Sequence, residues 1–169
     1  MDETFIGREP CTFVRRAYHH KMKIVALVDR TTGQAKSIVV DDLKGSTLVK
    51  IMDENISREA RLFTDDAKHY CRIAKRFADH QTVDHTHGEY GAGEIHTNTI
   101  EGYFSIFKRG MKGVYQHCGE KHLHRYLAEF EFRYSNRVAN GSNDADRTDA
   151  MVRGIVGKRL TYQTTAARA

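Results

Sequence analysis

The sequence predicts an α/β fold in which a mixed sheet carries helices on both faces. Short β-branched runs bounded by turn residues predict strands in the first half of the chain. Apolar residues at helical spacing predict that helices dominate the second half. The order is strand, hairpin, helix, strand, helix, strand and then helices, which favours a three-layer arrangement. With 169 residues, the chain is long enough for one domain. We expect this domain over residues 1–160 and a frayed tail over 161–169.

The predicted strands are short and end at turn residues. The run Ile24–Val28 is followed by the turn residues 29–33 and by a second β-branched run, which predicts a hairpin. The other strands have less pattern to support them because they hold only three or four residues. Strands are expected over residues 4–6, 24–28, 35–40, 61–64 and 82–85.

The predicted helices are defined by apolar spacing and by polar residues at their starts. Asp41 or Asp42 can cap the first helix, which carries Leu48, Ile51 and Met52 on one side. The glycine-rich segment 88–94 reads as a loop. Further helices are expected around residues 67–77, 100–111, 120–137 and 150–156.

The helix near residue 100 combines an apolar stripe with charged residues beside it. Glu101 and Lys108 are seven residues apart, so they project almost in register from a neighbouring face. This pattern can bring a carboxylate to the rim of the core, although an ordinary amphipathic helix with solvated Glu and Lys would show it too. The apolar stripe consists of Ile100, Phe104, Phe107 and Met111.

Composition narrows the function classes. The net charge of +5 with neutral histidines is compatible with a polyanionic partner. No run approaches the roughly 18 apolar residues of a membrane span, so no membrane partner is expected. The N-terminus lacks the pattern of a secretory signal, and the three widely spaced cysteines favour a reducing compartment. We therefore expect a cytoplasmic protein.

A basic segment follows the first strand. Between residues 15 and 23, six side chains are lysine, arginine or histidine. The whole segment 8–23 contains one acid, Glu9. The segment can be a phosphate-contacting arm or a solvated loop. Histidines elsewhere offer weaker alternatives, because the group around His117 and Cys118 lacks paired zinc spacing and His85, His87 and His96 can only line a site's rim.

Three acids occupy positions from which they can converge. Asp2 lies on the first strand, Asp65 follows the strand 61–64, and Glu101 lies on the helix near residue 100. Phosphoryl transfer with two divalent ions needs several carboxylates from different elements. An aspartate after a strand is also a common helix cap, which is the alternative for Asp65.

Four motifs in order resemble those of bacterial DDE-type insertion-sequence transposases. They are DETFIG at 2–7, FTD at 63–65, HTNTIEG at 96–102 with KRG at 108–110, and HLHRYLAEFEFRY at 122–134. The match spans nearly the whole chain. The resemblance implies a ribonuclease-H-like fold and a transposase catalytic domain.

The resemblance also implies a reaction and a site. Such enzymes use two Mg²⁺ or Mn²⁺ ions to nick DNA at element ends with water, and then join the freed 3′-hydroxyl to target DNA. By motif, Asp2 and Asp65 are the metal-binding aspartates. Glu101, 36 positions after Asp65 (101 − 65), fits the third ligand. Asn98 is the alternative third group or a supporting residue.

Basic residues near the last two motifs outnumber nearby acids, as expected of a DNA-facing surface. The resemblance implies a homo-oligomer acting on element ends and target DNA. Members of the family usually carry an N-terminal DNA-binding segment before the first motif, so we expect this chain to be N-terminally truncated. An inactive remnant that at most binds DNA, or a ribonuclease-H-like nuclease, are the alternatives. The residues expected to contact DNA are Lys108, Arg109, Lys112 and Arg125.

Overall fold

The structure is a computed structural model that describes residues 1–9, 18–65, 76–83 and 96–158. Most of the predicted helix near 67–77, the loop 88–94, the end of the predicted strand 82–85 and the tail 161–169 lie outside these ranges. The chain divides into two compact units, Met1–Ser135 and Asn136–Ala169. The first unit contains every described strand and is mixed α/β, as predicted.

Three strands of the first unit form an antiparallel sheet. β1 (Asp2–Ile6) pairs with β2 (Met22–Val28), and β2 pairs with β3 (Ala35–Val40). The β2–β3 turn is held by Asp29, whose carboxylate accepts hydrogen bonds from the Thr31 amide and the Thr32 hydroxyl. The predicted hairpin is confirmed.

Two further strands form a separate parallel pair. β4 (Arg61–Asp65) pairs with β5 (Asp79–Val83), which begins three residues earlier than predicted. The described strands thus pair as two sheets, and the prediction of one mixed sheet is not confirmed by them. One hydrogen bond joins their edges, since the Met1 ammonium donates to the Phe63 carbonyl oxygen at 2.8 Å.

The first helix, α1 (Gly45–Asn55), packs Leu48, Ile51 and Met52 into a core with Val25 and Val40. The predicted aspartate cap at its start is wrong. Lys44 occupies the N-cap position and makes no side-chain capping bond. Asp42, three residues before α1, instead accepts hydrogen bonds from the Lys44 amide at 3.0 Å and from the Thr47 hydroxyl in the first turn of α1 at 2.6 Å.

The second core lies between β2 and two later helices. α2 (Asn98–Gly110) runs into a π-helical turn, Met111–Tyr115, and is followed by α3 (Glu120–Ser135). The predicted stripe of α2 is buried, which confirms it. Tyr103 is also buried, because it lies beside that stripe, three residues after Ile100 and four before Phe107. Its hydroxyl pairs with the Ser37 Oγ at 2.6 Å, and burial raises the pKa of Tyr103 to about 12.

Alternate residues of β2 enter the two cores. Ile24 and Ala26 pack against α2 and α3, whereas Val25 packs against α1. This two-residue period places helices on both faces of the antiparallel sheet, as predicted. Asp2 pairs with Ala26 in the β1–β2 register, so it lies on the face of the sheet that α2 covers.

A close approach between α2 and α3 depends on Gly110. A Cβ at this position would clash with the Cζ and Cε1 atoms of the buried Phe130 ring. We expect Gly110→Ala to lower the free energy of unfolding by about 1–3 kcal/mol, because the packed ring has little room to move. Gly102, in the same helix, has open space around it, so Gly102→Ala is expected to raise stability by about 0.5–1 kcal/mol. Urea denaturation of the two variants measures the contrast, and changes of the same sign would contradict it.

The second unit, taken by itself, contains a 3₁₀ turn, Val138–Asn140, and the helix α4 (Asp144–Ile155). Asn143 and Asp146 form a reciprocal capping box at the start of α4. No residue of α4 is buried, and its apolar residues, such as Met151 and Ile155, are exposed. Among the described helices of the chain, none is long and apolar enough to cross a membrane.

Candidate metal site and nucleic-acid interface

The two predicted aspartates lie on neighbouring strand edges. Asp2 is the first residue of β1, and Asp65 is the last residue of β4. The hydrogen bond from Met1 to the Phe63 carbonyl holds the start of β1 against β4. The two carboxylates are near enough for the charge of Asp65 to perturb the ionisation of Asp2. The structure therefore places the two aspartates on strands that this hydrogen bond joins.

Burial makes the Asp2 carboxylate hard to ionise. It raises the pKa of Asp2 to about 7, and the negative charges of Glu3 and Asp65 add to the rise. The Glu3 amide donates to Asp2 Oδ1 at 2.7 Å and partly opposes it. Burial also lowers the pKa of the neighbouring Met1 ammonium to about 6. Asp2 is thus partly shielded from water, and the Met1 ammonium supplies little positive charge to offset the negative charge of the aspartates.

Arg30 connects the segments around these aspartates. Its guanidinium packs 4.2 Å from the centre of the Phe63 ring and donates to the backbone carbonyl of His96. It also contacts the His96 Nδ1 at 3.2 Å. One side chain therefore joins the β2–β3 turn, β4 and His96, which lies two residues before α2. Sequence reasoning missed Arg30, because an arginine in a polar hairpin turn carries no signal of a long-range contact.

The third predicted group lies on α2. Glu101 is exposed, and its Oε1 accepts a hydrogen bond from the hydroxyl of the buried Thr97 at 2.6 Å. Asn98 is the first residue of α2 and is also exposed. Within the described ranges, no three His, Cys, Asp or Glu side chains lie close enough together to hold a metal ion. Asp2 and Asp65 thus lie on strands that one hydrogen bond joins, and Glu101 is not added to a ligand cluster, so the roles of all three stay predictions.

The chemistry of the aspartate pair fits a divalent cation. Carboxylate oxygens are the ligands that Mg²⁺ and Mn²⁺ prefer. Two carboxylates on facing strand edges repel each other, and a cation between them would relieve that repulsion. Burial is the main cause of the raised pKa of Asp2, and the charges of Glu3 and Asp65 contribute less.

Replacing Asp2 by Asn should stabilise the metal-free protein. An acid whose pKa is about 7 when folded and 3.8 as a free group keeps a proton that the unfolded chain has lost between those pH values. Stability therefore falls as pH rises from about 4 to about 7, and Asp2→Asn removes this loss. We expect the variant to gain roughly 1–3 kcal/mol at pH 8 in EDTA, since each tenfold change in proton affinity is about 1.4 kcal/mol.

Denaturation at pH 4 and at pH 8 tests this expectation, with the exposed Asp41→Asn as the matched control. The gain should shrink at pH 4, where both forms of residue 2 are neutral. A difference that is the same at both pH values, or a loss of stability at pH 8, would contradict the burial of Asp2.

Two of the four predicted DNA-contacting residues share a groove beside β1. Lys108 and Lys112 are one helical turn apart and line this groove together. Arg109 is exposed on α2, and Arg125 is exposed on α3. The predicted basic arm is described only at residues 8–9 and 18–23, where Lys23 pairs with Glu9 at 2.5 Å. Lys23 is therefore neutralised, whereas Lys21 lines the same groove as Lys108 and Lys112.

Comparison with protein families identifies the first unit. The family model of the ISXO2-like transposase domain matches residues 1–135, which is most of the chain. The chain belongs to the ISXO2-like transposase family. The predicted resemblance to insertion-sequence transposases is thereby confirmed. A comparison with curated proteins gave no match.

The match to the transposase family has the same bounds as the first compact unit. Both end at residue 135, so α4 and the rest of the second unit lie outside the matched domain. The aspartate pair, α2 and the groove beside β1 all belong to the transposase domain. A role in DNA transposition follows from the family, and DNA is its partner.

Proposed function

We propose that this chain is the catalytic domain of a DDE-type transposase, which cleaves DNA strands at element ends and joins them to target DNA in a metal-dependent reaction. The observation that supports the proposal is the hydrogen bond that joins the strands of Asp2 and Asp65 within a transposase-family domain. Each residue was expected at the site from its own motif, and the two motifs are about 60 residues apart.

The strand arrangement supports a ribonuclease-H-like sheet. The antiparallel sheet has the order β3–β2–β1, and the parallel pair has the order β4–β5. The Met1–Phe63 hydrogen bond lies where β1 and β4 would pair if the two sheets were one. A single mixed sheet would then carry Asp2 and Asp65 on neighbouring strands, with α2 covering the face of Asp2.

Asp2 and Asp65 would hold the divalent ions, with Glu101 as the third ligand and Asn98 as its alternative or support. Two bound Mg²⁺ or Mn²⁺ ions supply the charge that makes water or a 3′-hydroxyl nucleophilic and that stabilises the oxygen leaving phosphorus. The protein's own part is to keep the carboxylates in place. Arg30 and the Met1 hydrogen bond brace the strands, and the buried stripe of α2 fixes the helix that carries Glu101.

Basic residues of the transposase domain would bind the DNA backbone. Lys108 lies on the same helix as Glu101, two turns later, so it can hold a phosphate next to the reacting one. Lys112, Arg109 and the exposed Arg125 of α3 would extend this contact. The active form would be a homo-oligomer that holds paired element ends in the bacterial cytoplasm.

A strand-cleavage and strand-transfer assay tests the proposal. Purified chain is incubated with element-end DNA and Mn²⁺, with EDTA in a parallel reaction, and compared with Asp65→Ala and with the exposed-acid control Asp41→Ala. We expect metal-dependent product from the wild type and from the control, and none from Asp65→Ala.

Other outcomes identify the alternatives. Absence of metal-dependent cleavage by the wild type would favour an inactive remnant. Cleavage of unrelated nucleic acid without strand transfer would favour a ribonuclease-H-like nuclease. Equal product from the wild type and Asp65→Ala would refute the proposed metal site.

A further inference from the structure

A groove of about 450 Å³ runs along β1 beside the aspartate pair. It is lined by residues 3–7, Tyr18, Lys21, Lys108 and Lys112, and we call it the β1 groove. Its first residue, Glu3, is adjacent to Asp2. Among the described strands only β2 pairs with β1, so the opposite edge of β1 is not covered by another described strand over residues 4–6. The groove is thus an open channel that begins next to the candidate metal site.

An aromatic platform forms part of the β1 groove. The rings of Phe5 and Tyr18 are stacked, with centroids 4.4 Å apart and planes only 12° from parallel. Tyr18 is 54% exposed, which is unusual for a ring that already covers another ring. Parallel stacking with a neighbouring ring holds the Tyr18 ring in one orientation. The molecule therefore presents a flat, fixed aromatic surface in a groove next to its candidate site.

The groove is also positively charged. Lys21, Lys108 and Lys112 line it against one acid, Glu3, and within the described part of the chain none of the three lysines forms an ion pair. The Lys21 ammonium lies 5.5 Å from the centre of the Tyr18 ring. Since Phe5 covers one face of that ring, Lys21 occupies the space that a second flat group would take. Its flexible side chain can move aside and keep its charge nearby.

We propose that the β1 groove binds an unpaired stretch of DNA, with one base stacked on Tyr18 and the flanking phosphates held by Lys21, Lys108 and Lys112. A fixed aromatic ring beside lysines that form no ion pair with the described acids is an arrangement that recognises single strands, because every base has a face that can stack. Bases in a duplex are stacked on each other and cannot reach the Tyr18 ring. A site for duplex phosphates alone would have no use for the stacked rings.

This inference rests on the proposed function, which makes DNA the ligand, and it adds that the bound stretch of DNA is unpaired. A strand that leaves the aspartate pair along β1 would be held open by Tyr18. The role of Tyr18 is then to position the strand through base stacking, separately from the metal ligands. The binding step needs no metal ion, so it can be measured without cleavage.

The test uses the full chain in EDTA and a short single-stranded oligodeoxynucleotide that contains 2-aminopurine, whose emission is quenched by stacking. Wild type is expected to bind the oligonucleotide and quench its emission. Tyr18→Leu should weaken binding about tenfold and restore the emission. Tyr18→Phe keeps an aromatic ring and should bind like the wild type, which separates stacking from loss of fold. Lys21→Gln and Lys112→Gln should weaken binding and reduce its salt dependence, whereas Lys50→Gln on the exposed surface of α1 should not.

Two results would overturn the inference. One is wild-type affinity and quenching in Tyr18→Leu. The other is a preference for duplex over single strand that depends on the lysines and not on Tyr18. The inference and the proposed function fail separately. Tyr18-dependent binding without cleavage would refute only the metal site, and metal-dependent cleavage without Tyr18-dependent binding would refute only the groove.

Discussion

Replacing Glu101 by Gln is expected to lower the rate of metal-dependent strand cleavage by on the order of a hundred- to a thousandfold. The reason is that glutamine lacks the negative charge of a metal ligand. Its side-chain oxygen can still accept the hydrogen bond from the Thr97 hydroxyl, so the start of α2 should keep its structure. The measurement is a single-turnover cleavage assay with Mn²⁺, together with a thermal melt of the same preparation.

Two matched variants test whether the slower cleavage comes from the loss of a metal ligand at Glu101. Asn98→Ala removes the alternative third group and is expected to slow cleavage by less than about tenfold if Glu101 is the ligand. Glu120→Gln makes the same chemical change in the first turn of α3, where the residue is exposed, and should leave the rate unchanged. A large loss in Asn98→Ala with little change in Glu101→Gln would transfer the third-ligand role to Asn98.

Phe107→Ala is expected to lower the free energy of unfolding by about 3–5 kcal/mol. Phe107 is fully buried between β2, α2 and α3, and its ring meets the Phe130 ring edge to face at a centroid distance of 5.3 Å. Truncation leaves a cavity that the surrounding helices cannot fill. Urea denaturation followed by circular dichroism measures the change.

The neighbouring residue provides the control. Ile106 is 47% exposed on the same helix, so Ile106→Ala should change stability by no more than about 0.5 kcal/mol. Equal losses in the two variants would mean that α2 is not anchored by the face that holds Phe107. In that case the packing of this face would not be what positions Glu101.

The parts of the fold that the sequence predicts well are those with a strong local pattern. The hairpin of β2 and β3 has two β-branched runs around turn residues, and its second strand starts and ends where expected. The stripe of α2 repeats over three turns, and its members are buried as predicted. Such patterns carry their own periodicity and depend little on what packs against them.

The parts that were missed depend on long-range contacts. The hydroxyl of the buried Tyr103 pairs with that of Ser37 of β3, 66 residues away. Asp42 does not occupy the N-cap of α1, because Lys44 takes that position and Asp42 accepts from the Lys44 amide and the Thr47 hydroxyl. Arg30 reaches Phe63 and His96 from a hairpin turn. None of these contacts leaves a trace in local spacing.

The candidate site, too, has one part that the sequence predicts and another that it does not. Asp2 and Asp65 were expected to meet from a motif resemblance, and the Met1–Phe63 hydrogen bond joins the strands that carry them. The Phe5–Tyr18 stack was not expected, although an aromatic residue within a basic segment was a signal that could have been used. The basic segment predicted a phosphate contact, and Lys21 in the β1 groove is the described residue that best fits it.

The binding of Mn²⁺ to the protein tests the central claim, that Asp2 and Asp65 together hold the ion on which cleavage depends. Electron paramagnetic resonance of free Mn²⁺ at pH 8 can be followed during titration of wild type, Asp2→Asn, Asp65→Asn and the control Asp41→Asn. We predict that both site variants bind Mn²⁺ at least about tenfold more weakly than the wild type and the control. Equal Mn²⁺ affinity in all four proteins would contradict the account.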